Sequence, residues 1–304
     1  MKKIILLLLT AFMLVQFCSS QIKQQFVGYF LLKAGEKIVY YNYDEEELDD
    51  STPVSLFSYD MRTKEKEVLL SDCIYWDCVK VNDSTIVYTD GKTIFVSELL
   101  SRQKRNIYSD FDEDRIISKL TSDNNVLYFF EINYSNSTCT LKSIFPERNF
   151  SIHTMSFSSY ESSDISSAVM NNKIIFRLQG LLAFYDTKEK QIKVINSRAT
   201  DFSMANNFIV YSYLTNTNQR ALREYNLFSG KEKEMANPPF KLDSHNLFFR
   251  TIKGENQTYY RKDSEVYLFL DFKWQKENID SFLIYQDEEI NVFLDGERAF
   301  VVGW

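Results

Sequence analysis

A polar turn followed by an aliphatic-aromatic strand recurs along this chain, and no other sequence feature constrains the fold as tightly. It reads Gly35-Glu36-Lys37-Ile38-Val39-Tyr40, then Asn82-Asp83-Ser84-Thr85-Ile86-Val87-Tyr88, Asp123-Asn124-Asn125-Val126-Leu127-Tyr128 and Asn171-Asn172-Lys173-Ile174-Ile175-Phe176. Weaker copies follow at Asn206 to Tyr211, Ser244 to Phe249 and Glu288 to Phe293. The positions Ile38, Ile86, Val126, Ile174, Ile209, Leu247 and Ile290 are spaced by 48, 40, 48, 35, 38 and 43 residues. A unit of four short strands needs about 40 to 50 residues, and a unit of that size repeated in series predicts sheets set radially about an axis. The expectation is an all-β chain, a β-propeller of about seven blades with six as the alternative count.

Between the repeats the chain keeps the same character. Short runs rich in Val, Ile, Tyr and Phe alternate with polar residues and end in Asn, Asp, Gly or Ser, which are strand and turn signals. Helical periodicity is nearly absent. Hydrophobic residues make up 44% and charged residues 25%, so the chain has the apolar share needed for a packed core. Closure is the further demand on a propeller. Residues 26 to 33 read as the innermost strand of the first blade, and the tail supplies three strands, at Phe282 to Tyr285, Ile290 to Leu294 and Ala299 to Val302. A short outer strand from Gln21 to Gln25 would complete the last blade.

In three units a strand ending in an aromatic-acid or similar pair precedes a charged turn. These are Leu56-Phe57-Ser58-Tyr59-Asp60 before Thr63-Lys64-Glu65-Lys66, Leu182-Ala183-Phe184-Tyr185-Asp186 before Thr187-Lys188-Glu189-Lys190, and Arg223-Glu224-Tyr225-Asn226-Leu227 before Ser229-Gly230-Lys231-Glu232. They resemble the TolB-like and WD40-like propeller repeat, in which a strand ending Tyr-Asp precedes a Thr-Gly-Lys-type hairpin turn. The resemblance extends as a pattern from Phe26 to Trp304, and the Ser-Pro-Asp-Gly turn of the best copies of that repeat is absent.

The chain opens Met1-Lys2-Lys3 and is almost wholly apolar from Ile4 to Val15 before Cys18-Ser19-Ser20, the pattern of a secretory leader. That apolar run of 12 residues falls short of the roughly 20 that cross a bilayer as a helix. Residues 1–20 are therefore expected to be a signal peptide and residues 21–304 one propeller domain, periplasmic or secreted. A lipid tether through Cys18 is the disfavoured alternative, because Phe17 precedes it where lipoprotein processing demands a small residue; only such a tether would make a membrane a partner. Without Lys2 and Lys3, 33 basic residues face 42 acidic ones, a net charge of −9. Nucleic acid and anionic membrane surfaces attract positive faces, so neither is an expected partner.

The sequence carries no catalytic signature. Its only histidines, His153 and His245, fall in different units, and no Gly-x-Ser-x-Gly elbow, sialidase-type turn or Gly-rich phosphate loop occurs. No cofactor is expected. Asp110, Asp112 and Asp114 stand at alternate positions as calcium ligands do, but Arg115 occupies the sixth position where such loops have Gly and Thr121 the twelfth where they have Glu. A solvated acidic loop is the favoured reading. Cys73 and Cys78 have a spacing that permits a local disulfide after export, with reduced thiols the equal alternative, and Cys139 is left over. Tyr75 and Trp76, between those cysteines, and Trp274, read as part of an inter-blade loop, are candidate ligand-binding aromatics, with seam packing the commoner fate. The run Asp44, Glu45, Glu46, Glu47, Leu48, Asp49, Asp50 is a candidate docking loop for a basic partner, or a solvated hairpin. The leading functional expectation is an exported, non-catalytic interaction module of the cell envelope that holds another protein. An inhibitor of a protein partner and a glycan-binding propeller are the alternatives.

Overall fold

A computed structural model describes residues 23–303 apart from 43–51, 100, 102, 146–147, 158–164, 236–237, 239–241, 243–246, 253–254, 263–264, 271–272, 278–281, 287–289 and 296–297. Among the described residues all regular structure is β-strand. The chain enters as β1 (Lys23–Val27). The first sheet then follows as β2 (Tyr29–Ala34), β3 (Lys37–Asn42), β4 (Val54–Asp60) and β5 (Lys66–Cys73), and the second as β6 (Asp77–Asn82), β7 (Thr85–Thr89), β8 (Thr93–Glu98) and β9 (Gln103–Ser109). The third comprises β10 (Arg115–Asp123), β11 (Val126–Asn133), β12 (Thr138–Phe145) and β13 (Arg148–Ser156); the fourth β14 (Ile165–Met170), β15 (Lys173–Leu178), β16 (Leu181–Asp186) and β17 (Gln191–Asn196). The fifth holds β18 (Ala199–Ala205), β19 (Phe208–Leu214), β20 (Arg220–Asn226) and β21 (Glu232–Glu234). Each is an antiparallel four-stranded meander in chain order.

The remaining strands form one eight-stranded sheet. β22 (Leu247–Ile252), β23 (Glu255–Lys262), β24 (Glu265–Leu270) and β25 (Lys273–Glu277) make one half, and β26 (Phe282–Gln286), β27 (Ile290–Asp295), β28 (Arg298–Gly303) and β1 the other. A single parallel residue pair, Ile252 with Gln286, joins the halves. β1 pairs antiparallel with β28 from Lys23↔Val302 to Val27↔Arg298, so the N-terminal strand completes the sheet built by the C-terminus. The expected outer strand thus lies two residues later than Gln21–Gln25, and the innermost strand of the first sheet begins at Tyr29 rather than Phe26. First strands lie side by side through the first four sheets, and again from the fifth sheet through both halves of the eight-stranded one, and β2 also touches β28.

The core lies in the seams between neighbouring sheets. Ile86 and Tyr88 of the second sheet pack with Val39 and Leu56 of the first, Ile174 and Phe176 of the fourth with Phe130 and Leu141 of the third, and Tyr211 of the fifth with Leu182 and Phe184 of the fourth. Second strands are covered on both faces, which is why β7 is buried at every residue and its three central residues, Ile86-Val87-Tyr88, are all large and apolar or aromatic. Cys139 lies in the seam of the third and fourth sheets, where burial pushes its thiol up to about 12. The Leu247 copy of the repeat is out of phase: it opens a first strand, β22, and the second strand of its sheet is β23.

The aromatic-acid turns share one geometry. Asp60 Oδ1 accepts the Arg62 and Thr63 N–H groups at 2.9 and 2.8 Å, Asp186 Oδ1 those of Lys188 and Glu189 at 3.0 Å each, and Asn226 Oδ1 those of Phe228 and Ser229 at 3.0 and 2.8 Å. The fourth residue after each cap has positive φ: Lys64 at 65°, Lys190 at 57° and Gly230 at 66°. Cross-strand partners follow the cap's charge. Lys37 stands opposite Asp60 and Lys173 opposite Asp186, whereas the neutral Asn226 faces Phe208.

Candidate functional site

An antiparallel meander puts its two kinds of turn on opposite faces of the molecule. Turns after first and third strands share one face, termed lower; hairpins after second strands, and the connectors between sheets, share the upper face. On the lower face a cleft of about 580 Å³ opens between the first and second sheets, with Lys37, Asp60, Arg62 and Asp83 in its lining. Its charges are of both signs.

Two carboxylates tie first strands together. Asp77, the first residue of β6, accepts the Leu120 N–H of β10 at 2.6 Å and the Cys78 N–H at 2.8 Å. Asp201 of β18 does the same with Leu247 N–H of β22 at 2.6 Å and Phe202 N–H at 2.9 Å. Burial holds the Asp77 carboxyl above its ordinary value, against the pull of Lys119 and the two N–H bonds. Ser122 Oγ of β10 donates to Lys80 O of β6 at 2.9 Å and Ser203 Oγ of β18 to Phe248 O of β22 at 2.8 Å, so each seam carries one carboxylate clamp and one serine clamp, on opposite strands in the first and on the same strand in the second.

The upper face of the first three sheets gathers exposed aromatic and aliphatic side chains. Ile74 and Tyr75 lie in the β5–β6 connector, Phe111 in the β9–β10 connector and Tyr134 in the β11–β12 hairpin, with exposures of 46, 40, 86 and 38%. The loops that carry them are bonded into one scaffold. Asp110 N–H donates to Lys92 O at 2.9 Å, Ile117 N–H to Gly91 O at 2.7 Å and Tyr134 N–H to Asp114 O at 2.8 Å. Lys92 Nζ donates to the carbonyls of Asp112 at 2.7 Å, Glu113 at 3.1 Å and Arg115. Tyr75 lies against Gly91, whose φ of +89° leaves no room for a side chain: a Cβ there would stand 2.5 Å from that of Tyr75. Tyr134 shares a side-chain hydrogen bond with Tyr75, and burial together with that tyrosine raises its phenol well above the usual range.

Beneath the scaffold lies a charge network. Buried Glu131 accepts Tyr108 Oη at 2.6 Å and pairs with Lys142, and Arg115 stands 3.7 Å away. Arg115 also reaches Asp112 at 3.1 Å and Asp110 at 3.5 Å. Burial works against the Asp110 carboxylate, but the Asp112 N–H and Arg115 hold it below its ordinary range. The candidate calcium ligands Asp110 and Asp112 are therefore turned toward a guanidinium, and no three acidic, histidine or cysteine side chains converge as a metal site among the described residues.

The other sequence candidates fall as follows. Trp76 is half-buried in the seam of the first two sheets, its ring 4.7 Å from that of Tyr41. Trp274 lies within outer strand β25, not in an inter-blade loop, and packs on Tyr260 and Phe269; the Lys-rich flanks that read as loop are the exposed residues of an edge strand. Cys73 and Cys78 are free thiols, Cys73 Sγ lying 3.3 Å from Ser71 O, and burial raises both thiol pKa values. The expected leader 1–20 with Cys18, the acidic run 44–50 and His245 lie outside the described residues, and His153 is exposed on β13. Ile74, Phe111 and Tyr134 were not singled out from the sequence; for Phe111 the available signal was an aromatic residue set singly in an otherwise charged loop.

No family model matches this sequence, and no curated protein does. Solved structures are similar. A chain in a crystal structure of the mitotic checkpoint complex superposes with a TM-score of 0.56 at 10% identity, over 92% of this chain and 91% of that one. An acylaminoacyl peptidase from Pyrococcus horikoshii matches 89% of this chain but only 49% of its own length, with a TM-score of 0.54 and 10% identity. The β-propeller domain of the trilobed protease from Pyrococcus furiosus, described as having an open velcro topology, matches with a TM-score of 0.53 and 11% identity over 92% of this chain and 94% of that domain. Identities this low speak to architecture alone, and the architecture they share with this chain is the β-propeller.

Proposed function

We propose that the chain is an exported, seven-bladed propeller that acts as a non-catalytic interaction module, holding a protein partner on its upper face. The blade count takes each half of the eight-stranded sheet as one blade, supported by the single residue pair that joins them. Export, to a periplasmic or extracellular site, rests on the leader at residues 1–20. The observation that carries the interaction reading is the group of Ile74, Tyr75, Phe111 and Tyr134, exposed together on loops that are bonded into a rigid scaffold. Aromatic side chains held in place are what protein interfaces use as anchors, because little entropy is lost when they are covered. The acidic run 44–50 links β3 to β4, and both of those strands end on the same face at that link; a role in attracting a basic partner belongs to the same proposal. Affinity capture with the tagged mature chain from native extract, with salt-graded washes, tests it. One dominant protein, lost as salt rises, is expected; background alone refutes the reading.

A further inference from the structure

We infer that the upper face of the first three sheets binds a basic polypeptide segment that carries an aromatic or aliphatic side chain between its lysines or arginines. This rests on the interaction reading and specifies the partner's chemistry.

Bonds and contacts run in a closed circuit from Tyr75 to Gly91, through Lys92 to the 110–115 connector, from Asp114 to Tyr134, and back to Tyr75. Phe111 projects from that circuit with 86% of its surface exposed. The cations of the circuit are already committed: Lys92 to three carbonyls, Arg115 to Asp110, Asp112 and Glu131. The carboxylates of Asp72, Glu113 and Asp114 are exposed and have no ion pair or hydrogen bond among the described residues. An apolar anchor with an unneutralised acidic rim matches a partner in which an apolar side chain is flanked by cations. Opposite charge at the rim speeds and orients the encounter, while the central apolar contact carries most of the affinity. A negative or merely apolar segment lacks one half of this match.

The test uses the full mature chain and three synthetic peptides of equal length, read by fluorescence anisotropy. One alternates lysine with phenylalanine and leucine, one replaces its lysines with glutamates, and one replaces its apolar residues with serine. The first should bind and the other two should be at least about tenfold weaker. Phe111→Ser and Tyr75→Ala should each weaken the first by roughly tenfold, and Glu113→Lys with Asp114→Lys should weaken it most at low salt. Phe111 is nearly all in solvent, so F111S keeps the fold, which a thermal melt checks. Equal binding of the acidic peptide, absence of binding by the basic aromatic one, or an unchanged affinity in F111S overturns the inference. If F111S still captures the same partner from extract, the interaction module stands and this surface is wrong; if capture yields only background, the module reading falls by itself.

Discussion

Replacing Asp186 separates two jobs that one carboxylate performs. Its Oδ1 caps the β16–β17 turn by accepting two N–H groups at 3.0 Å, and its Oδ2 pairs with Lys173 at 2.9 Å, where the two side chains are 9% and 16% exposed. A pair this sheltered lies between a surface ion pair, worth about 0–1 kcal/mol, and a fully buried one, whose rupture costs about 3–5 kcal/mol. Asp186→Asn keeps a cap oxygen and breaks the pair, so it should cost about 2 kcal/mol. Asp186→Ala also removes both turn bonds, at about 1 kcal/mol each, for about 4 kcal/mol in all. The fifth sheet already contains the compensated state, since Asn226 caps the same turn opposite Phe208. Lys173→Phe combined with Asp186→Asn should therefore recover most of the loss. At about 2–4 °C per kcal/mol for a domain somewhat smaller than this, thermal melts near neutral pH should show a drop of about 4–8 °C for D186N and roughly twice that for D186A. The Asp186 carboxyl is held below its ordinary 3.8, although burial opposes this, by the Glu189 N–H, Lys173 and the Lys188 N–H. Its contribution is thus present above about 3.8 and lost as pH falls through the lower native value, a dependence D186N should not show. Equal losses in D186N and D186A, or no recovery in the double variant, would refute this division of roles.

Other outcomes follow from the same geometry. Asp201→Ala leaves the Leu247 and Phe202 N–H groups without their acceptor and should cost about 2–4 kcal/mol, read by urea unfolding. Asp77, whose carboxyl burial holds above 3.8, has the opposite pH sign from Asp186: its contribution is complete below 3.8 and is lost as pH rises through the higher native value. Asp77→Asn should flatten that part of the melting-temperature profile. Gly91→Ala forces a left-handed residue and a Cβ into Tyr75, so it should lower stability by about 1–3 kcal/mol and change the tyrosine's fluorescence or nuclear magnetic resonance signals. Deleting residues 21–27 removes β1 and bares the edge of β28, so the shortened chain should self-associate, as light scattering after gel filtration would show.

What could be read from the sequence follows from where each strand stands. Second strands such as Ile86-Val87-Tyr88 lie between two seams, so their apolar runs are continuous and their repeat is visible. First strands are covered less evenly: β6 is half-buried from Asp77 to Val81, and its residues carry no comparable run. A first strand that is apolar, as Leu247-Phe248-Phe249 is, therefore passes for a second one. The turns mislead in another way. The two Thr-Lys-Glu-Lys strings at 63–66 and 187–190 look equivalent, yet Thr63 stands three residues after its capping aspartate and Thr187 only one. What recurs is the carboxylate or amide oxygen over two N–H groups and a positive φ four residues on, which Lys64, Lys190 and Gly230 meet with unrelated side chains. The candidate surface was obscured for a related reason. Trp76 attracts attention in the sequence, but its ring fills the seam beside Tyr41 and leaves the neighbouring Ile74 and Tyr75 outside. In the 110–114 connector, the aspartates Asp110 and Asp112 turn toward Arg115 while Phe111, between them, is left in solvent. Alternation that suggests metal ligands in one dimension places a guanidinium under the loop and a phenyl ring above it in three, because the arginine at the sixth position supplies the positive charge that a cation would otherwise bring.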